Sequence, residues 1–142
     1  MSARAKRFIV VSIGDTGSDG FDEHELPVLV KLVKSHSPDH WVMVHTGAVV
    51  HFRSSKNRFR DVQRFIADAE RHRASDPRFS TLKIGLAEGE LVGEFDWLGR
   101  IKAGGLGLLG DAIVEAVRQE KVPGAHLEKM KSLAQSFHGQ TA

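Results

Sequence analysis

The chain contains no cysteine and no tyrosine among its 142 residues. The absence of cysteine excludes disulfides, thiolate catalysis, zinc fingers and iron–sulfur clusters, and the absence of tyrosine excludes a catalytic phenol. No run of about 18 apolar residues is present, so the sequence predicts no membrane-spanning helix. The apolar run behind the basic residues at 4–7 ends too soon, at Gly14 and Asp15, for a signal peptide. A cytoplasmic location is therefore expected, with no membrane partner.

An excess of charge of either sign is also missing. Twenty Lys and Arg residues stand against 18 Asp and Glu residues, a formal net charge of +2. So small a net charge does not predict a nucleic-acid partner. Hydrophobic residues make up 41% and charged residues 27%, which is ordinary for a folded, soluble protein. The length fits one domain over 1–142, with a core at about 8–120 and a helical tail at 121–142.

Apolar periodicity and turn residues divide the chain into strands and helices. The expected elements are a buried strand at 8–13, a helix at 23–35, a β-hairpin at 41–53 with its turn near 46–48, a helix at 57–73, strands at 81–86 and 90–95, and helices at 111–120 and 125–137. The leading β-α-β-β-α-β order predicts an α+β fold with a ferredoxin-like core. In that core two helices cover one face of an antiparallel sheet. An additional strand and further helices follow it.

The helix at 57–73 is expected to bury one apolar face: Phe59, Val62, Phe65, Ile66 and Ala69. The last two helices also have predicted buried faces. Ile113, Ala116 and Val117 are expected to point inward from the first of them. The tail helix is expected to bury one stripe of apolar side chains: Leu127, Met130, Ala134 and Phe137.

A glycine-rich segment, GLGLLG at 105–110, matches the pattern G-x-G-x-x-G. It lies late in the chain, no βαβ unit follows it, and Met130 stands where an acidic ribose-binding residue would. The pattern therefore does not predict a dinucleotide-binding fold. A glycine-rich loop before a helix can still offer backbone N–H groups to an anion, and it can equally be a plain loop.

Two further clusters contain possible metal ligands. Asp15 leads four carboxylates within 15–23, where they could bind Mg²⁺ together with substrate phosphates or form turns and helix caps. His45 and His51 flank the hairpin turn and could share an ion only if the register of the hairpin brings them together. The alternative is that the eight histidines are surface or hydrogen-bonded residues.

Two segments resemble the catalytic domain of class III adenylate and guanylate cyclases. LKIGLAEGE at 82–90 is similar to the family pattern I-G-x-x-x-G-E/P, and GDAIVEAVR at 110–118 is similar to the later pattern G-D/N-x-V-N-x-A-x-R. In the order of its elements the resemblance extends over about 8–120. It implies a ferredoxin-like core of the kind found in nucleotidyl cyclases.

The resemblance also implies a metal site and a nucleotide site. Asp15 takes the place of a metal-binding aspartate, which implies Mg²⁺ or Mn²⁺ as the metal if the site is functional. Arg118 takes the place of the catalytic arginine that steadies the triphosphate, because cyclisation moves negative charge onto pyrophosphate. A nucleotide or phosphate ligand is expected at five residues: Gly105, Gly107, Gly110, Asp111 and Arg118.

Other family positions hold residues that cannot perform this chemistry. The second metal-binding aspartate falls on Thr46, the transition-state asparagine on Val114, and the base-reading residue on Gly107. Losing one ligand and one donor, at about 3 kcal/mol each, would slow the reaction roughly 10⁴-fold or more. We therefore expect a degenerate cyclase-like domain that is a regulatory or binding module without cyclase activity. The alternatives are a weakly active adenylate or guanylate cyclase and an unrelated α+β interaction domain.

A homodimer is expected because class III cyclases build their sites between two domains. The glycine-rich region also carries a crowd of large apolar residues: Trp97, Leu98, Leu106, Leu108 and Leu109. Large exposed apolar patches usually mark interfaces. The alternative is that these residues fold back on the sheet of their own chain.

Overall fold

The computed structural model describes residues 4–15, 21–44, 47–102 and 107–138. The strands are β1 (Arg4–Asp15), β2 (His40–Val44), β3 (Gly47–Arg53) and β4 (Leu82–Gly93). The helices are α1 (Glu25–Ser35), α2 (Lys56–Ser75), α3 (Asp111–Gln119) and α4 (Ala125–His138), with a short 3-10 helix at Pro77–Phe79. The predicted β-α-β-β-α-β order is confirmed, and two helices follow it.

The four strands form one sheet in the order β2-β3-β1-β4, and every neighbouring pair is antiparallel. This is the sheet of a ferredoxin-like α+β fold, as predicted. The prediction of separate strands at 81–86 and 90–95 is wrong, because β4 is continuous over 12 residues. Gly85 and Gly89 lie inside β4 and make room for a helix against it.

Both faces of the sheet are covered. One face packs against α1, α2 and α4 in a core that includes Ile9, Val11 and Phe52. The other face carries a smaller core under α3, which includes Phe8 and Val10. Because β1 is buried on both faces, its sequence is a continuous apolar run instead of an alternating one.

Helix α2 follows its predicted pattern closely. The Ser55 side chain caps its start by accepting a hydrogen bond from the backbone N–H of Arg58 at 3.2 Å. Its buried face is the expected one: Phe59, Val62, Phe65, Ile66 and Ala69.

Helix α3 places Ala116 and Ile113 inward as predicted, but not Val117. Ala112 and Ala116 face the sheet and Ile113 packs beside them, whereas Val117 is 43% exposed. The inward face holds alanine because the helix backbone lies directly on the glycines of β4, where a larger side chain would not fit.

Helix α4 packs three of its four predicted residues against the core: Phe137 is buried, and Met130 and Ala134 are partly buried. His126, Leu133 and Phe137 are buried, and Leu127, which was expected to be inside, is 47% exposed. The His126 ring lies 2.7 Å (Nε2–Oε1) from the Glu70 carboxylate of α2, and this contact fixes the rotation of the helix.

A tight turn follows β4. Phe95 and Ile101 form an antiparallel bridge, and the Asp96 carboxylate accepts hydrogen bonds from the backbone N–H groups of Leu98 and Arg100, both at 2.9 Å. Trp97 lies at the tip of this turn and is 87% exposed.

The outer edge of β4 is partly covered. Val92 exchanges two backbone hydrogen bonds with Leu109, and the Gln119 side chain accepts one from the N–H of Leu86 at 3.3 Å. Leu108, predicted to belong to an exposed patch, is instead buried in the core under α3, and Leu106 lies outside the described residues. Within the part of the chain that the structure covers, no helix is long and apolar enough to cross a bilayer.

Candidate functional site

Helix α3 lies across the sheet with its two ends at opposite ends of β4. A Cβ atom at Gly85 would stand 1.7 Å from the carbonyl oxygen of Ala116, and a Cβ at Gly89 would stand 3.3 Å from the Cβ of Ala112. The helix therefore runs antiparallel to β4 and parallel to β1. Since the contact at Gly85 is with backbone, no side chain can be accommodated there while the helix stays in place.

The predicted glycine-rich site lies where α3 begins. Gly110 is the N-cap residue, and a Cβ there would stand 2.6 Å from Leu91 Cδ2 and 2.7 Å from the Glu90 carbonyl oxygen. Gly107 has a φ of +79° in open space, which suits glycine in a turn. Gly105 lies outside the described residues. The absence of a side chain at Gly110 therefore allows close packing against β4, independently of any ligand.

A groove of about 460 Å³ opens beside the start of α3. Four acidic residues line it, namely Glu88, Glu90, Asp111 and Glu115. No Lys or Arg is among its lining residues in the described ranges. Carboxylates on every side of the groove oppose the binding of a triphosphate, even though the positive end of the helix dipole lies there.

One of these carboxylates is already neutralised by a partner. Arg7 donates two hydrogen bonds to Glu88, at 2.8 Å (Nε–Oε2) and 2.6 Å (Nη2–Oε1), and the Ser54 hydroxyl donates a third at 2.9 Å. The hydrogen bonds from Arg7 hold the pKa of Glu88 below its usual range. Glu88 is therefore ionised and already saturated with donors.

Arg118 lies two turns further along α3, about 10 Å from Asp111 along the helix axis. Its side chain is exposed and has no ion pair or hydrogen bond within the described part of the chain. A guanidinium without a partner is available to an anion. The structure therefore separates Arg118 from the glycine-rich loop, although the sequence grouped them in one site.

Asp15 lies at the same end of the sheet as Arg118. It is the last residue of β1 and pairs with Leu82, while Gly14 pairs with Gly47, the first residue of β3. The end of β1 therefore adjoins the β2–β3 turn. Thr46 and His45 of that turn lie outside the described residues, and Asp15 as a metal ligand stays a prediction.

Glu120 was missed by the sequence reasoning. Its carboxylate lies over Gly14 and accepts a hydrogen bond from the Ser12 hydroxyl. Burial raises the pKa of Glu120. A signal was available, because a serine inside the apolar run of β1 needs a polar partner from the element that covers it.

The described ranges contain no group of three or more His, Asp or Glu side chains placed to hold a metal ion. In the acidic cluster after β1, Asp22 caps α1, accepting hydrogen bonds from the N–H groups of His24 and Glu25 at 2.8 and 2.9 Å. The capping interpretation is therefore confirmed for Asp22. Asp19 lies outside the described residues.

The hairpin register pairs His51 with His40, not with His45. The two ring centroids are 5.4 Å apart, and neither ring nitrogen of His51 has a hydrogen-bond partner in the ranges the structure covers. Burial lowers the pKa of His51 to about 4, so its ring is neutral at pH 7. His36 fits the alternative of a hydrogen-bonded histidine, since its Nε2 atom lies 3.0 Å from Asp68 Oδ2.

The fold is similar to that of nucleotidyl cyclases of known structure. A bacterial light-regulated adenylyl cyclase matches with 16% identity and a TM-score of 0.58, over 95% of this chain and 47% of that chain. The catalytic core of a rhodopsin-guanylyl cyclase with converted specificity, in complex with ATPαS, matches with 13% identity and a TM-score of 0.57. This match covers 85% of this chain and 75% of that chain. A dimeric guanylyl cyclase domain of the RhoGC fusion protein from the aquatic fungus Blastocladiella emersonii matches with 14% identity and a TM-score of 0.56, over 84% and 76%.

These matches show the fold, which is that of class III adenylyl and guanylyl cyclase catalytic domains. The chain spans about half the length of the light-regulated adenylyl cyclase, 47%. No protein-family model matches the chain, and a search of curated proteins gave no significant match.

Proposed function

We propose that this chain is a nucleotidyl-cyclase-like domain that acts as a binding or regulatory module and does not form cyclic nucleotides. The shared fold supports its relation to cyclases. The observation that carries the loss of activity is Val114. It occupies the position of the family's asparagine on α3, is 55% exposed and has no side-chain donor to offer a developing negative charge.

The charges around α3 support the same proposal. The groove at its start is lined by Glu90, Asp111 and Glu115 besides the paired Glu88, and a triphosphate there would meet repulsion. Arg118 at the other end is a single unpaired cation. One guanidinium binds a phosphate weakly and does not position a triphosphate for in-line attack.

The residues present do not fit the two-carboxylate metal site that the cyclase fold implies. Asp15 stands at the first metal position, and Thr46, at the second, carries a hydroxyl in place of a carboxylate. Mg²⁺ prefers carboxylates together with substrate phosphates. We therefore derive no metal-dependent step for this chain.

We also propose that the domain forms a homodimer through the outer side of α3. Val114 and Val117 lie one turn apart on that side, and Val92 and Leu109 are exposed near its start. Large exposed apolar residues on one side of a helix are typical of an interface. A two-fold axis would place the patch against its own copy, and a stable contact should bury more than about 1,000 Å² in total.

A weakly active cyclase remains the second candidate, and one observation favours it. Asp15 and Arg118 lie at the same end of the sheet, which is compatible with a residual site shared between two copies. Turnover assays separate the two candidates directly.

The activity test uses purified protein with ATP or GTP and either Mg²⁺ or Mn²⁺. We expect no cyclic AMP and no cyclic GMP above the buffer background. Arg73→Ala is the matched control, because Arg73 is an exposed arginine on α2, far along the chain from α3. Turnover that persists in Arg73→Ala and disappears in Arg118→Ala would refute the proposal and support the weakly active cyclase.

The binding test is calorimetry with ATP and with GTP. We expect weak binding that is lost in Arg118→Ala and retained in Arg73→Ala. Tight, metal-dependent binding that is unaffected by Arg118→Ala would contradict the assignment of this residue.

The dimer test is sedimentation at micromolar concentration. Val117→Glu should dissociate the dimer, whereas Leu127→Glu should not, because Leu127 is comparably exposed but lies on α4, across the sheet. A single species near 16 kDa for the unmodified chain would refute dimerisation.

A further inference from the structure

Two cationic side chains, Lys6 of β1 and Arg53 of β3, lie beside the turn that carries Trp97. Lys6 Nζ and Arg53 Nη1 stand 3.0 and 3.8 Å from the position that a Cβ would take at Gly99. The two cationic groups are therefore at most about 7 Å apart. Gly99 has a φ of +81°, which favours glycine. Because glycine has no side chain, the backbone of the turn approaches both cations directly.

Aromatic rings hold the two cations in place. Lys6 Nζ lies 4.6 Å from the centroid of the Phe95 ring, and Arg53 Cζ lies 5.6 Å from that of Phe8. The two rings are themselves stacked, with centroids 6.2 Å apart. Cations packed on buried rings lose little further freedom when an anion binds.

Neither cation has an ion-pair partner among the residues that the structure describes. The charge of Asp96 acts on Lys6, but both oxygens of Asp96 accept hydrogen bonds within the turn, where Oδ2 accepts one from Arg100 Nε at 2.9 Å. Desolvation, followed by the charges of Arg53 and Arg4, holds the pKa of Lys6 below its ordinary value. At Lys6 the repulsion from Arg53 and Arg4 outweighs the attraction of Asp96, and a bound anion would relieve the remaining repulsion.

We propose that Lys6 and Arg53 bind a phosphate monoester or diphosphate group against the Gly99 turn. A guanidinium supplies two parallel donors to a phosphate and an ammonium supplies a mobile point charge, so the pair is chemically suited to this anion. The indole of Trp97, at the tip of the same turn, offers an apolar surface to the remainder of the ligand.

This site is independent of the proposed function. Lys6 precedes Asp15 by nine residues, about 30 Å along an extended strand. Binding at Lys6 and Arg53 needs neither Arg118 nor a second copy of the chain. Either proposal can therefore fail while the other holds.

The first experiment uses inorganic pyrophosphate as the probe and tryptophan fluorescence as the signal. The chain has two tryptophans, so Trp41→Phe leaves Trp97 as the single reporter. We expect a saturable change in fluorescence and a rise in the midpoint of thermal unfolding. Lys6→Gln and Arg53→Gln should each weaken binding tenfold or more, while Arg73→Gln leaves it unchanged.

A second variant keeps the test decisive if a glutamine variant is poorly folded. Lys6→Glu places a carboxylate opposite Arg53, so it should raise the unfolding midpoint without ligand and abolish pyrophosphate binding. Binding that survives Lys6→Glu, or that survives both glutamine substitutions, overturns the proposal.

Vesicles distinguish a lipid headgroup from a free phosphate compound. Flotation is measured with phosphatidylcholine alone and with added phosphatidic acid. Lys6-dependent flotation with phosphatidic acid, without binding of pyrophosphate, assigns the site to a headgroup. Binding of pyrophosphate without flotation assigns it to a soluble phosphate. No Lys6-dependent binding in either assay refutes the site.

Discussion

Ser12, in the middle of β1, donates a hydrogen bond to the carboxylate of Glu120, the residue that follows α3. Ser12 is buried and the carboxylate lies over Gly14, so the contact fixes the end of α3 on the central strand. The contact places the charged carboxylate of Glu120 in a partly desolvated environment, which costs free energy.

Glu120→Gln should stabilise the protein at neutral pH. Because burial raises the pKa of Glu120 above its value in the unfolded chain, the folded state binds the proton more tightly. The stability that this provides is complete below the unfolded pKa and is lost as the pH rises through the folded one. Glutamine can still accept the hydrogen bond from Ser12 without a charge. Urea unfolding should show a stabilisation at pH 7 that shrinks toward pH 4.

Glu115→Gln is the control for that measurement, since Glu115 is an exposed carboxylate on the same helix. A gain in stability for Glu120→Gln that is equal at pH 4 and pH 7 would contradict a raised pKa.

His51→Leu should remove an acid-sensitive component of stability. The folded pKa is lowered to about 4, against 6.5 for the free side chain, so the unfolded chain holds more protons between these values. Stability is therefore complete above pH 6.5 and falls by about 3 kcal/mol as the pH drops to 4. The unfolding free energy of the unmodified chain should therefore fall by about this amount relative to that of the variant over this range.

The matched control for His51 is His24→Gln, because His24 is exposed at the start of α1. It should leave the pH dependence unchanged. Parallel curves for the unmodified chain and His51→Leu would show that His51 is not buried as a neutral ring.

Gly85→Ala should destabilise the fold by about 2–3 kcal/mol, because its Cβ would collide with the Ala116 carbonyl and force α3 away from β4. Gly124→Ala is the comparison. Gly124 has a φ of +79° in open space, so it should lose only the backbone preference of glycine, about 1 kcal/mol. Equal losses in thermal unfolding would contradict the close contact of α3 with β4.

Arg118→Ala should leave the free energy of unfolding within about 0.5 kcal/mol of the unmodified value. The side chain is exposed and has no partner in the described residues, so its removal costs no contact. This separates a loss of nucleotide binding from a loss of folding. A larger drop in chemical denaturation would mean that Arg118 has a structural role.

The sequence was informative where periodicity alone decides the structure. Helix α2 has a long amphipathic stripe and a serine cap, and its core residues were predicted correctly. Sequence patterns failed in β4 and α3 for a single reason. Gly85 and Gly89 lie inside a continuous strand and leave room for the backbone of a helix, so the helix places alanine, not valine, against the sheet.

The arrangement of the candidate site could also not be predicted from local sequence patterns. The order of elements predicted the sheet, but the position of Arg118 relative to the glycine-rich loop depends on the direction in which α3 crosses β4. Glu120 and the pairing of His40 with His51 depend on contacts between distant segments, which local patterns do not record.

The hydrogen bonds along the outer edge of β4 limit the addition of strands from other molecules. A long outer strand is a template to which a strand of another molecule can add. Gln119 occupies the N–H of Leu86 and Leu109 occupies both backbone groups of Val92, so an incoming strand cannot align along the full edge. On the opposite side β2 has only five residues, too short to guide extended pairing. Loss of α3 from the sheet would therefore open the edge of β4 to aggregation before the core itself unfolds.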